Sequence, residues 1–280
     1  MKNSVLALDL GGTSLKCALV TDGVLTDKRR VPTDVSRGAE GIADTYRKGL
    51  SFYRGADYCG VAVSSAGKIG ADGKVLFATP LLPGYTGFDL GGFISRETGK
   101  ICECLNDGQA AAFCEYVARG AEGRAAMLTL GTGVGGAWVC GGEISDFAEQ
   151  GAGHVCLQKG GRVCSCGRQG CIEQYISGTA LNAALGDMPH AEIWQKYLGG
   201  DERVCAAVET WKANIKKACA LLYSIKPFDV IVLGGGLSEA GKFWFDETYF
   251  SSEEYRIELS RRGNDAGMLG AYEYFRKKHM

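Results

Sequence analysis

Residues 125–136, Ala-Ala-Met-Leu-Thr-Leu-Gly-Thr-Gly-Val-Gly-Gly, repeat the plan of residues 4–13, Ser-Val-Leu-Ala-Leu-Asp-Leu-Gly-Gly-Thr. In each, a strand-like apolar run ends in a turn of glycine and threonine, and a second apolar run (Leu15 to Val20; Ala137 to Cys140) leads away, which reads as a hairpin. At an offset of 120, Leu8, Leu10 and Gly11 fall on Leu128, Leu130 and Gly131. A second pair of runs, 60–67 (Gly-Val-Ala-Val-Ser-Ser-Ala-Gly) and 230–236 (Val-Ile-Val-Leu-Gly-Gly-Gly), reads as buried strands closed by small residues. Between hairpin and late strand each half carries helix. Ile42, Tyr46, Leu50 and Tyr53 recur at helical spacing in the first half, and Val204, Val208, Trp211, Ile215, Cys219 and Leu222 in the second, which Pro227 stops. The repeat predicts two related α/β lobes with a ligand cleft between them.

Asn106-Asp107 opens an Ala-rich helix that Gly120 closes and that joins the halves, and Met268 to Lys278 reads as a final short helix. The expected division is an N-terminal lobe at 1–106, completed by the C-terminal helix at about 264–280, and a C-terminal lobe at 107–263.

The 280 residues are 46% hydrophobic and 22% charged, which excludes disorder, collagen and coiled coil. Lys plus Arg number 31 and Asp plus Glu 32, for a net charge of −1, so no charge excess points to nucleic acid or an anionic membrane as partner. Met1-Lys2-Asn3-Ser4 runs straight into a strand without the apolar core and cleavage site of an export signal, and a cytoplasmic protein is expected. The longest uncharged stretch, Ala125 to Gly142, is too rich in glycine for a membrane helix and reads as strand, turn, strand. With 12 cysteines but no export signal, a disulfide framework is not expected. Nine of the 12 read as small buried hydrophobes; Cys164, Cys166 and Cys171 stand apart.

Asp9, at the end of a buried strand, precedes Gly11, Gly12 and Thr13, compact residues that let backbone and hydroxyl groups approach phosphate oxygens while the carboxylate reaches a hydrated Mg²⁺. Alone this is equally a plain hairpin turn. The second turn, Gly131-Thr132-Gly133, favours the phosphate reading, because two such turns can grip one polyphosphate. Neither fits a P-loop or a dinucleotide fingerprint. Asp107 and Asn106 each suit a helix N-cap; at a lobe junction the carboxylate can also act as general base toward a hydroxyl, with Asn106 holding a neighbouring one. His154 with Cys164, Cys166 and Cys171 offers three sulfurs and an imidazole, which fits a closed, structural Cys₃His zinc site over 154–171. Glu173 lies two residues beyond that set, where the metal loop would position it.

Together, Asp-Leu-Gly-Gly-Thr at 9–13, Asn-Asp at 106–107, Gly-Thr-Gly-Val-Gly-Gly at 131–136, Gly-His at 153–154, Cys-x-Cys-Gly-x-x-Gly-Cys-x-Glu at 164–173 and Gly-Gly-Gly at 234–236 resemble the ROK family of the actin-like ATPase (ribonuclease H-like) superfamily. The resemblance implies a phosphotransferase moving the γ-phosphoryl of ATP to a hydroxyl, usually the 6-hydroxyl, of a hexose or N-acetylhexosamine. It also implies Asp107 as base, with Asn106, His154 and Glu173 on sugar hydroxyls. The turns at Gly11, Gly12, Thr13 and at Gly131, Thr132, Gly133 would bind phosphates, Asp9 would sit by Mg²⁺, and Gly234, Gly235 and Gly236 would lie beside the nucleoside. A homodimer is what the family suggests.

The chain departs from the family pattern around the sugar pocket. Where the family has a sugar-binding Glu before Gly-His, this chain has Gly151, with Glu149 two residues earlier; Leu81 and Gln109 stand where Asn is usual. Altered sugar preference with phosphoryl transfer kept is the expectation. The other readings are a sugar-binding sensor without catalysis and an actin-like ATPase activator holding an iron-sulfur cluster on its cysteines. The winged helix that the family's repressors carry is not expected, since the chain opens at the first strand.

Overall fold

A computed structural model describes residues 4–280. The first three residues, on which the expected lack of an export signal partly rests, lie outside the described residues. The fold divides into two units, 1–117 with 265–280, and 118–264.

The first unit is built on strands β1 (Val5–Leu10), β2 (Ser14–Thr21), β3 (Val24–Pro32), β4 (Gly60–Ser65) and β7 (Ile101–Asn106), in the order β3-β2-β1-β4-β7, with a small side hairpin of β5 (Lys68–Ile69) and β6 (Val75–Phe77). The first three strands are antiparallel neighbours, and β1, β4 and β7 run parallel. Alternation sends Leu6, Leu8 and Leu10 to one face, where α1 (Ala39–Ser51) and α2 (Leu90–Thr98) cover them with Ile42, Tyr46, Phe93 and Ile94. The C-terminal helix, Ala266–His279, covers the other face, with Phe275 filling the space beside Gly60.

The second unit repeats the order as β11-β10-β8-β12-β13, from β8 (Arg124–Leu130), β10 (Trp138–Cys140), β11 (Glu143–Ser145), β12 (Val230–Gly234) and β13 (Arg256–Leu259), with β9 (Val134–Gly135) returning along β8. The uncharged stretch 125–142 is thus strand, turn and strand, and no helix among the described residues is long and apolar enough to cross a membrane. Its core joins Leu128, Leu130, Ile231 and Leu233 to the apolar stripe Val204, Val208, Trp211, Ile215, Cys219 and Leu222. That stripe belongs to a long helix, Glu202–Ile225, started by the Asp201 carboxylate on Val204 N–H and ended just before Pro227.

The helix α3 (Asp107–Ala118) falls almost wholly in the first unit, so the division comes at 117/118 and not ahead of Asp107. Its attachment is the C-terminal helix: Gly270 lies so close to the Ala110 carbonyl that no Cβ fits, and the Phe113 and Tyr274 rings meet edge to face at 5.7 Å. Gly270→Ala should therefore cost about 1–3 kcal/mol through overpacking, read as a lowered Tm; an unchanged Tm would mean the two helices separate without cost.

The cysteines correct the sequence reading. All 12 are free thiols, but of the nine expected in the interior only Cys17, Cys114 and Cys219 are buried. Cys59 and Cys156 are exposed, and Cys102, Cys104, Cys140 and Cys205 are half-buried. Cys102 and Cys104 lie on the end strand β7, Cys140 ends β10, Cys59 precedes β4, Cys205 lies in the helix Glu202–Ile225 and Cys156 in a loop, and at none of these places does the surrounding composition enclose the side chain.

Candidate active site

In the first unit the chemistry-bearing residues gather at the C-terminal ends of three adjacent parallel strands, β1, β4 and β7, where open α/β sheets hold ligands. Asp9 lies opposite Ser64, and Ser65 opposite Asn106. The Asp9 carboxylate accepts from Ser64 Oγ at 2.7 Å and from Lys16 Nζ at 3.1 Å. Lys16 and Ser64 escaped the sequence reading; the one signal was the small-residue end of the run 60–67. Gly11 N–H donates to Ser14 O at 3.0 Å, and Thr33 ties the turn from behind through Gly11 O (2.9 Å) and Thr13 O (3.1 Å). Gly12 and Thr13 are left exposed, and no protein acceptor among the described residues takes their N–H groups. Such outward amides suit an anion.

Asn106 caps α3: its Oδ1 accepts from Gly108 N–H (2.9 Å) and Gln109 N–H (3.2 Å), while Nδ2 donates to Gly67 O and Asp107 Oδ1, both at 2.8 Å. Asp107 Oδ1 also accepts from Gly108 N–H at 2.8 Å. The residue as a whole is exposed. Crowding by protein, then the negative charge of Asp9, pushes the Asp107 carboxyl up to about 6 against the favouring hydrogen bonds of Gly108 and Asn106. A carboxyl that is held at Oδ1 and titrates at about 6 is able to exchange a proton in the neutral range.

In the second unit the turn Gly131-Thr132-Gly133 follows β8 and the run Gly234-Gly235-Gly236 ends β12, its parallel neighbour. Gly131 O accepts from Gly178 N–H and Thr132 O from Thr179 Oγ1, both at 2.7 Å, so the carbonyls are drawn backward here as well. Glu173 Oε2 accepts from Val134 N–H at 2.9 Å. The residue assigned to a sugar hydroxyl thus also fixes the backbone of the glycine turn, which spacing alone could not reveal.

His154, Cys164, Cys166 and Cys171 converge, with ligand atoms all within 4.8 Å of one another. Cys164 Sγ lies 3.6 Å from His154 Nδ1, and Cys166 Sγ lies 3.6 Å from Cys171 Sγ. Bonds of about 2.3 Å from a tetrahedral zinc put two thiolates about 3.8 Å apart, so the set fits one such ion. A multi-iron cluster would hold its ligands farther apart. Burial raises the Cys166 thiol, but hydrogen bonds from the Arg168 backbone and guanidinium, Cys164 and Cys171 outweigh it and bring it to about 7, while burial and the neighbouring sulfurs push Cys171 to about 12.

Gly151 accounts for one departure: its φ of 93° with ψ of 169° is a conformation a Glu there would adopt only with strain. Glu149 is exposed on the preceding loop, and Gln150 Oε1 accepts from Arg168 Nη2 at 2.8 Å, joining that loop to the cysteine loop. Leu81 is 72% exposed, offering no hydrogen bond where the family has an amide.

The profile of the ROK family matches residues 5–278. An N-acetylmannosamine kinase from Haemophilus influenzae is 32% identical over 284 residues, covering 95% of this chain and 93% of its own. A ROK family glucokinase from Streptomyces griseus, solved in complex with glucose and AMPPNP, superposes with a TM-score of 0.82 at 25% identity over 98% of this chain and 99% of that one. A ROK hexokinase from Thermus thermophilus does so with a TM-score of 0.78 at 28% identity over 97% of both. With the two-unit α/β fold and motifs that run through both units, the chain belongs to the ROK family.

Proposed function

We propose that this ROK protein is an ATP-dependent sugar kinase that moves the γ-phosphoryl group of ATP to the 6-hydroxyl of a hexose or N-acetylhexosamine, acting in the cytoplasm as a homodimer. A phosphotransferase with an alcohol acceptor is the class to which the glucokinase, hexokinase and N-acetylmannosamine kinase relatives belong. The observation that carries the reading is Asp107, an exposed carboxylate anchored through Oδ1 on Gly108 N–H and raised to about 6. In this reading Asp107 accepts the proton of the attacking hydroxyl, and Asn106, His154, Glu173 and Glu149 hold the other hydroxyls. Since Asn106 is already committed to the α3 cap and to Gly67, its part is to exchange one of these bonds for a substrate hydroxyl. The amides at Gly11, Gly12 and Thr13 and at Gly131, Thr132 and Gly133 receive phosphate oxygens. Asp9 holds the hydrated Mg²⁺ of the substrate, and Gly234, Gly235 and Gly236 border the nucleoside. Phosphoryl transfer leaves the protein little covalent chemistry, so rate depends on positioning and charge neutralisation. Zinc, when bound to His154, Cys164, Cys166 and Cys171, supplies a structural crosslink; His154 Nδ1 faces the thiols, which leaves Nε2 for a hydroxyl.

The test is ADP release with Mg-ATP across glucose, mannose, allose, fructose, N-acetylglucosamine and N-acetylmannosamine. Turnover concentrated on one or two of them is expected, and the position of the phosphate on the product checks the 6-hydroxyl. Silence on every sugar from folded, zinc-loaded protein would favour the sensor reading.

A further inference from the structure

Strand β7 carries Cys102 and Cys104, whose side chains leave the same face of the sheet because they are two residues apart. Their sulfurs lie 3.6 Å apart, and both residues are half-buried. Glu103 between them turns to the opposite face, where it meets Lys278 Nζ at 2.9 Å and His279 Nε2 at 2.8 Å. Cys104 Sγ borders Gly73 and Gly91, which pack backbone to backbone beside it. Neither thiol has a part in the kinase reading.

The geometry disfavours a disulfide. Alternate Cα atoms of an extended strand are about 6.6 Å apart, at the upper edge of the roughly 4.4–6.8 Å a disulfide spans. The sulfurs would have to close from 3.6 Å to about 2.05 Å, which requires β7 to buckle. Its pairing with β4, Cys102 opposite Val61 and Cys104 opposite Val63, resists that. A bridging atom needs no such movement: bonds of about 2.3 Å to each sulfur, the length of a metal–thiolate bond, span 3.6 Å at an angle of about 100°. A metal ion of ordinary coordination would want further ligands, and the only group of three or more His, Cys, Asp or Glu ligands among the described residues is the one around His154.

We propose that Cys102 and Cys104 form a two-sulfur site for trivalent arsenic, separate from the Cys₃His set. An arylarsenoxide supplies an arsenic that needs two sulfurs and brings its own third substituent. Two As–S bonds form, the As–O bonds break, and the two thiol protons leave with the oxygen as one water; nothing is oxidised or reduced. The Cys102 thiol is held well above its ordinary range by its hydrogen bond with Cys104 and by burial, so Cys102 enters this condensation as the thiol.

The test uses zinc-loaded protein and one equivalent of phenylarsine oxide, followed by native mass spectrometry, a zinc assay and a thiol count. Expected are one adduct per chain, two fewer titratable thiols, full retention of zinc and reversal by a small dithiol. Cys102→Ser and Cys104→Ser, each checked for wild-type circular dichroism, should both lose the adduct, and Cys102→Ala serves if the serine variant folds poorly. An adduct that persists in both variants, zinc released in step with labelling, or no adduct on the folded wild type would overturn the proposal. All these readouts are independent of kinase activity.

Discussion

The Asp107→Asn protein will turn over its sugar about 10²- to 10⁴-fold more slowly than wild type, the range that general-base catalysis supplies, while melting no lower. The substitution keeps an oxygen to accept from Gly108 N–H and from Asn106 Nδ2, so the α3 cap survives. What it removes is the group able to take a proton. Stability argues in the same direction. The Asp107 carboxyl is raised to about 6 in the fold, so between its unfolded value and that pH the folded state binds the extra proton, and stability falls as pH rises through this window. Above the window wild type carries the whole cost of the confined charge, which Asn does not. Asp107 is open to solvent, so that cost is softened, and the expected result at pH 8 is a Tm equal to or slightly above wild type. The same carboxyl sets the pH profile: kcat/KM for the sugar should be level above about 6 and fall tenfold per unit below it. A variant that keeps wild-type turnover, or a wild-type profile flat down to pH 4.5, would remove Asp107 from the base role.

The fold was legible because its repeat is written in residue types with few alternatives. Leu-Asp-Leu-Gly-Gly-Thr and Leu-Thr-Leu-Gly-Thr-Gly both force a buried strand to stop at a turn, and the two five-strand orders coincide position by position. The Cys₃His set was legible for a related reason: its ligands lie within 18 residues of one another, so spacing alone restricts their geometry. What spacing could not convey is which groups hold the site from behind. Ser64 and Lys16 reach Asp9 by strand pairing across 55 and 7 residues, and Thr33 reaches Gly11 across 22; each is an ordinary strand or loop residue in one dimension. The cysteines show the opposite failure. Burial depends on which face of which strand a side chain leaves, so Cys102 and Cys104 on an end strand differ from Cys17 in the core although each of the three has one charged and one apolar sequence neighbour.

Removing the zinc proposed for His154, Cys164, Cys166 and Cys171 should disable the second glycine turn as well as the cysteine loop. The path runs through Glu173, two residues beyond Cys171, whose carboxylate holds Val134 N–H at 2.9 Å. A zinc ion present at a thousand times its dissociation constant stabilises the fold by about 4 kcal/mol, and for a domain of this size that amounts to roughly 8–16 °C in Tm. A strong chelator, or Cys171→Ala, is therefore expected to lower the melting temperature by that much and to abolish turnover. Glu173→Ala separates the two effects. It should keep zinc and most of the Tm but leave Val134 N–H unpaired, a loss of about 1–3 kcal/mol, and reduce kcat/KM for ATP as well as for the sugar by about five- to 150-fold. Glu173→Gln keeps an acceptor for Val134 and should recover much of the ATP effect while leaving the sugar effect in place. If Glu173→Ala changed only the sugar parameters, the bond to Val134 would carry no function, and the cysteine loop would act on the sugar side alone.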